Sequence, residues 1–197
     1  MLLISFAIRA SFGVFQIPIA NDLGWFRAEF SLAIAIQNLS WGIATPFFGA
    51  FAEKLGDRKA ILVGVLVYAL GLALSSMAST AASHQLLEIL VGVGVAGTGF
   101  GVILGVVGRS ASDKTRSLAL GITTAAGSAG QIIGPPLSQY LLNSMTWQNV
   151  FLLYSGLILL ALLSLPFLKA PAKVSKSELE ESLSRINAIL LSLTRRT

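Results

Sequence analysis

Gly49-Ala50-Phe51-Ala52-Glu53-Lys54-Leu55-Gly56-Asp57-Arg58-Lys59 is a charged interruption between two long apolar runs, and it decides how the rest of the chain is read. Three of its residues, Lys54, Arg58 and Lys59, are basic. Two gaps further on, Arg109, Lys114 and Arg116 form the next basic cluster. The tail after Phe167 holds Lys169, Lys173, Lys176, Arg185, Arg195 and Arg196. The first gap carries only Arg27, and the third and fifth carry no Lys or Arg at all. Basic residues favour the cytoplasmic side of a bilayer, so this alternation predicts a six-pass helical membrane protein with both termini cytoplasmic. One basic residue escapes the pattern: Arg9, inside the first apolar run.

Composition points the same way. The chain is 54% apolar and only 12% charged, with a mean hydropathy of +0.78. A soluble fold with so few charges could not cover its surface with polar groups. The net charge of +5 lies in the loops and the tail, and no basic patch with interleaved aromatics suggests nucleic acid. With no cysteine, disulfides and thiolate metal sites drop out. The first run lacks a basic leader and a small-residue cleavage site, and it is read as a true span.

The spans are expected near 2–20, 31–52, 60–80, 85–108, 117–142 and 147–168. Each is about the 20 residues that a roughly 30 Å hydrocarbon core requires. In lipid every backbone amide must be satisfied within its segment, so the fold class is all-α integral membrane. Residues 1–168 form the bundle. Residues 169–197 form a cytoplasmic linker and an amphipathic helix, opened by a Ser177–Glu180 capping box and striped by Leu179, Leu183, Ile186, Leu190 and Leu193.

Glycines concentrate in the fourth span. Gly97, Gly101 and Gly105 recur every four residues, which predicts one cleared helix face for close packing. Gly92, Gly94 and Gly97 also spell G-x-G-x-x-G. A dinucleotide site would need a strand before that motif, so it too is read as a packing face.

The stretch from Gly49 to Lys59 resembles the signature loop of the major facilitator superfamily, usually written G-x-L-A-D-R-x-G-R-R/K. Gly49, Ala52, Gly56 and Arg58 match. Glu53 and Lys54 replace Asp and Arg, and Asp57 stands where a basic residue is usual. Gly130-x-x-x-Gly134-Pro135 resembles the first part of the family's span-five motif, whose closing glycine pair is here Ser138-Gln139. Arg9-x-x-x-Gly13-x-Phe15 and Leu23-Gly24-Trp25 look most like the bacterial monocarboxylate-transporter-like branch. The resemblance implies two inverted three-helix repeats making one half of a twelve-span fold. Pro46 and Pro136, with Asp57 and Trp147 at equal offsets, echo such a repeat. The missing half would be supplied by a second six-helix half or a homodimer partner.

Arg9 lies about 12 Å of helix inside its span. A guanidinium at that depth must face something polar. It is either a clamp holding a carboxylate through two parallel hydrogen bonds, or an arginine satisfied by carbonyls and polar neighbours or snorkelling inward from a helix that starts later. Gln16 shares its helix face. Gln37 and Asn38, with Trp41 a turn on, and Gln131 are amides at membrane depth, available to substrate or to neighbouring helices. His84 and Glu88 are placed at a solvated outer end of span four, with a part in proton coupling or a gate as the alternative. Glu53, Arg58 and Lys59 resemble the family's cytoplasmic gating network and also serve as the orientation signal.

One His, no Cys and no H-E-x-x-H, G-x-S-x-G or P-loop pattern argue against an enzyme, a metal site or a cofactor. The resulting expectation is a secondary active transporter in the cell inner membrane. It moves a small organic anion such as a monocarboxylate by alternating access, with a coupling proton as a candidate partner. Efflux of amphiphilic compounds by the same fold, or a truncated non-transporting membrane protein, are the alternatives.

Overall fold

The computed structural model describes residues 1–167. Over them the chain forms seven α-helices: α1 Leu2–Leu23, α2 Arg27–Leu55, α3 Asp57–Ser75, α4 Ala81–Thr98, α5 Phe100–Ser110, α6 Arg116–Leu142 and α7 Trp147–Leu160. A 3₁₀ stretch, Ala161–Phe167, continues α7, and no strand occurs among the described residues. The linker and the expected amphipathic helix at 169–197 lie outside the described residues.

Four of these units are long and apolar enough to cross a membrane: Leu2–Leu23, Asp57–Ser75, Ala81–Ser110 and Trp147–Pro166. At 29 and 27 residues, α2 and α6 have the length. Their apolar character is diluted, in α2 by Gln37, Asn38 and Pro46, and in α6 by Thr123, Thr124, Gln131 and two prolines. These two helices therefore fall outside the four candidate spans among the described residues.

The fourth unit differs from expectation. It is not one helix, because α4 ends at Thr98 and α5 begins at Phe100, with Gly99 extended between them (φ −89°, ψ −171°). Thr98 steadies the break. Its hydroxyl bonds the Gly94 carbonyl at 3.0 Å and meets the Ser5 hydroxyl of α1 at 2.8 Å. A broken helix at membrane depth needs such partners, since lipid supplies none. The break also divides the glycine row. Gly97 meets the backbone of α3, where a Cβ built on Gly64 would fall 2.6 Å from the Gly97 Cα. Gly101 and Gly105, beyond the break, face only the Thr45 methyl and the Arg109 guanidinium. The close-packing face consists instead of Gly92, Gly94 and Gly97, which meet Gln37 of α2, Tyr68 of α3 and Gly64 of α3.

Two turns require glycine. Gly24 closes α1 in the left-handed region (φ 67°, ψ 27°), with its amide donating to the Ala20 carbonyl. Gly56 (φ 102°) is the single residue between α2 and α3, so the chain reverses there in one step. The start of α4 is marked by a reciprocal cap: the Thr80 hydroxyl accepts from the Ser83 amide at 3.2 Å, and the Thr80 amide donates to the Ser83 hydroxyl at 3.3 Å.

The most extensive packing joins α1 to α6, α2 to α4, and α3 to α4 and α7. Glycine makes the first two interfaces close. A Cβ on Gly130 or Gly134 of α6 would run into the α1 backbone at Leu3 and Ala7. In α6, Ser138 bonds both the Gly134 carbonyl and the Tyr154 hydroxyl of α7. An aromatic core ties α1, α4 and α7 together. Phe15 meets Phe151 edge-on at 4.8 Å, and Phe151 stacks on the His84 ring at 6.3 Å.

Candidate functional site

Consecutive residues of a helix point about 100° apart. Gln37 and Asn38, near the middle of α2, therefore serve different neighbours. Asn38 turns to α1. Its carbonyl oxygen accepts from Arg9 Nη2 at 2.5 Å, while its own amide donates to the Ile34 carbonyl at 2.8 Å. The Arg9 guanidinium also lies over the Trp41 ring, 4.4 Å from its centroid. That position suits a cation, because the ring face is electron-rich. Phe6 meets Trp41 edge-on at 6.0 Å and Phe100 at 4.3 Å, which walls this corner with aromatics. Arg9 is half-buried and, among the described residues, has no ion-pair partner.

Gln37 turns the other way. Its side chain is 2% exposed, and its amide donates to Glu88 Oε2 of α4 at 2.7 Å. Glu88 is fully buried. One turn earlier, His84 is 1% exposed, with Nε2 at 3.6 Å from Glu88 Oε1. The imidazole stacks on Phe30 at 5.7 Å and lies 5.6 Å from Trp25. Glu88 Oε1, both His84 nitrogens and the Ser75 hydroxyl of α3 lack hydrogen-bond partners. This corrects the solvated interface expected for His84 and Glu88. Both are in the core, because α2, α3 and α7 close over the first two turns of α4.

The remaining candidates divide. Gln16 donates to the Arg27 carbonyl at 3.2 Å and the Ser31 hydroxyl at 3.0 Å, so it binds the α1–α2 hairpin near its turn. Arg9–Asn38 and Gln16–Ser31 are two rungs of the same antiparallel pair, seven residues apart on each helix. Gln131 is half-buried on α6, beside the Gly130 that touches α1, and is not drawn into the Arg9–Asn38 bond.

In the loop after α2, Glu53, Arg58 and Lys59 are exposed and Gly49 is half-buried. Arg58 Nη2 reaches the Pro166 carbonyl at 3.4 Å. Asp57, the residue that departs from the signature, has a role the sequence reading did not assign. It is 8% exposed at the start of α3 and forms an ion pair with Arg109 in the last turn of α5. An acid at a helix N-terminus facing a base at another's C-terminus suits both helix dipoles. At the opposite end of the bundle, Asp22 near the end of α1 accepts from Trp147 Nε1 at 2.8 Å and Gln148 Nε2 at 3.1 Å at the start of α7.

Comparisons with known proteins agree with this architecture. The chain is 34% identical to monocarboxylate transporter 13 of Rattus norvegicus over 163 residues, covering 78% of the chain and 36% of that protein. It is 28% identical to a probable L-galactonate transporter of Escherichia coli over 159 residues, 77% of the chain and 35% of that protein. It is 26% identical to the methyl viologen resistance protein SmvA of Salmonella typhimurium over 142 residues, 72% of the chain and 27% of that protein. The chain thus spans about a third of the length of these relatives. The sequence model of the Major Facilitator Superfamily matches residues 1–196, nearly end to end. With that match and the all-helical fold of the described residues, the chain belongs to the Major Facilitator Superfamily, a family of transporters and not of enzymes.

Proposed function

We propose that the chain is a six-span half of a secondary transporter that moves a small organic anion, such as a monocarboxylate, by alternating access. The observation that carries this reading is Arg9. It is a half-buried guanidinium in an apolar helix, with one amide and one aromatic face as partners and no carboxylate beside it. A guanidinium has five N–H donors in a planar fork. The single bond to Asn38 leaves room for the two parallel bonds that a carboxylate accepts. The names of the monocarboxylate and L-galactonate relatives fit an anionic cargo.

In this reading α2 and α6 are spans as well, and half-buried Asn38 and Gln131 face a central passage, whereas Gln37 turns to the core. The pairing of α1 with α6 and of α2 with α4 supports two inverted repeats, since exchanging the first three spans for the last three interchanges these two pairs. The basic residues between α2 and α3 and between α5 and α6 favour a cytoplasmic location for those loops and for both termini, in a cell inner membrane. Gly49, Glu53, Gly56, Arg58 and Lys59 form the gating loop there. Gly130, Gly134 and Pro135 set the approach of the fifth span to the first. The second half, on another stretch of chain or in a second copy, completes the passage.

The test is uptake of radiolabelled monocarboxylates into proteoliposomes. Anion uptake that survives Arg9→Ala intact rules out the clamp. Similarity to SmvA favours a second reading, export of amphiphilic compounds. A growth-inhibition screen separates the two, because resistance that persists in Arg9→Ala needs no anion clamp.

A further inference from the structure

Glu88 presents a problem of charge. It is fully buried in the bundle core, and among the described residues no Lys or Arg lies within ion-pair distance. An unpaired buried carboxylate is costly enough that such groups hold a proton or a counter-charge. The groups around it are few. On α4 there is His84, at 3.6 Å, beyond hydrogen-bond length. From α2 comes the Gln37 amide on Oε2. From α3 come the unpartnered Ser75 hydroxyl and Tyr68, whose own hydroxyl is committed to the Ser5 carbonyl of α1 at 3.2 Å. From α7 come Phe151, stacked on His84, and Tyr154, bonded to Ser138. Arg9 of α1 is occupied by Asn38 and Trp41. A carboxyl oxygen and an imidazole, both without partners, thus face each other in a pocket that otherwise offers only neutral groups.

We propose that His84 and Glu88 form a proton-binding site, holding one exchangeable proton, and that its occupancy is relayed to Arg9 through α2. The neutral form is a carboxylic acid beside a neutral imidazole. Loading forms one O–H bond on Glu88 with a proton taken from water, and release breaks that bond and returns the proton to water. No other bond changes. His84 lies in the second turn of α4, whose cap residue Thr80 is exposed, so the imidazole is the nearer member to the surface and the port for the proton. Loss of the proton leaves a carboxylate whose closest hydrogen-bond donor is Gln37, with the Ser75 hydroxyl beside it. A stronger pull on Gln37 turns α2, and Asn38, the next residue, moves with it against Arg9. The glycine at position 92 leaves no slack, because α4 backbone touches α2 at the Gln37 carbonyl. The relay to Arg9 rests on the transport reading above, whereas the proton site stands without it.

The two are therefore tested separately. Infrared difference spectra of the lipid-reconstituted chain, in H2O and D2O, read the protonated-carboxyl C=O stretch directly. The expected result is a band that shifts in D2O, disappears as pH rises, is absent in Glu88→Gln and is unchanged in Asp113→Asn, an exposed loop carboxylate. A band that persists in Glu88→Gln, or one in the unaltered chain that neither titrates nor shifts in D2O, overturns the site. The second criterion needs no variant to fold. In proteoliposomes, a tenfold proton gradient should raise monocarboxylate uptake above that of protein-free vesicles by about tenfold in the unaltered chain, one proton moving with each anion, and have no such effect in Glu88→Gln. Uptake in Glu88→Gln that follows the gradient overturns the relay. Absence of uptake with a titrating band refutes transport by this chain alone or as a pair of copies, and leaves the proton site standing.

Discussion

Gln37 and Asn38 are neighbours of similar chemistry on one helix, yet they work against opposite requirements. Asn38 meets a cation at a half-buried corner, and its bond to Arg9 is one of several that a guanidinium can make. Gln37 meets an acid sealed in the core, where the next partner is absent and a glycine presses the helices together. The same functional group thus serves an adaptable contact on one side and a rigid one on the other. The difference follows from burial, because an unmet hydrogen bond costs little where a side chain is partly exposed and much inside a packed interface.

The strongest way to break the rigid side is through Gly92. A valine there would place a side chain against the Gln37 carbonyl, the Ser40 Cβ and the Trp41 amide, of which two are backbone groups that cannot swing aside. Overpacking of this kind costs about 1–3 kcal/mol, and more where backbone must shift. Gly92→Val is expected to abolish the monodisperse gel-filtration peak in detergent. Gly42→Ala, on a face of α2 with open space around it, should leave the peak unchanged. The adaptable side should respond in activity instead. Arg9→Ala is expected to lower monocarboxylate uptake at least tenfold, about 1.4 kcal/mol, with thermal stability nearly unchanged. Arg9→Lys should recover part of the uptake, since a point charge replaces the fork.

This division bears on how much the sequence could reveal. Apolar runs and charged gaps located the helices closely: α6 and α7 begin at Arg116 and Trp147, against expected starts of 117 and 147. Amides at membrane depth were visible as well, because Gln37 and Asn38 interrupt an otherwise apolar run. Their directions were not visible. Two residues about 100° apart on a helix acquire opposite roles only when both neighbouring helices are in place. The break at Gly99 was hidden for a similar reason. A glycine every four residues fits an unbroken packing face as well as an interrupted one, and the partner that stabilises the break, Ser5, lies 93 residues away from Thr98. His84 and Glu88 read as the polar start of a helix. Only the closure of α2, α3 and α7 over that start makes them core residues. A signal was available for Asp57 and Arg109, an acid at one helix start and a base at another helix end, but the loop motif drew attention to its departures rather than their use.

A smaller effect sharpens the amide comparison itself. Gln37→Leu and Asn38→Leu remove one interhelical bond each, and such bonds in membranes are worth about 0.6–2 kcal/mol. Gln37→Leu should fall at the upper end, because Glu88 then loses its 2.7 Å donor while staying buried. Asn38→Leu should fall at the lower end, since Arg9 keeps Trp41 and can reach water. Thermal unfolding followed by tryptophan fluorescence reads the difference. Equal shifts for the two variants would show that burial does not separate the two sides of α2.

The smallest expected effect concerns the ends of the bundle. Arg109 and Asp57 form an ion pair, but the arginine is 40% exposed, and pairs open to water are typically worth about 0–1 kcal/mol. At the other end Asp22 is held by a neutral indole and an amide. Both contacts join the start of a third repeat helix to the end of a first one, so the inverted-repeat reading makes them counterparts. Their chemistry makes them respond differently to salt. Arg109→Gln should lower the unfolding temperature slightly in low salt and hardly at all in high salt, where screening has already weakened the pair. Trp147→Phe keeps the ring's packing against Phe151 and loses only the indole bond, so its effect should be independent of salt. A salt-independent loss in Arg109→Gln would mean that the Asp57 contact acts as a packed hydrogen bond, like its counterpart, and that the two ends share a mechanism as well as a position.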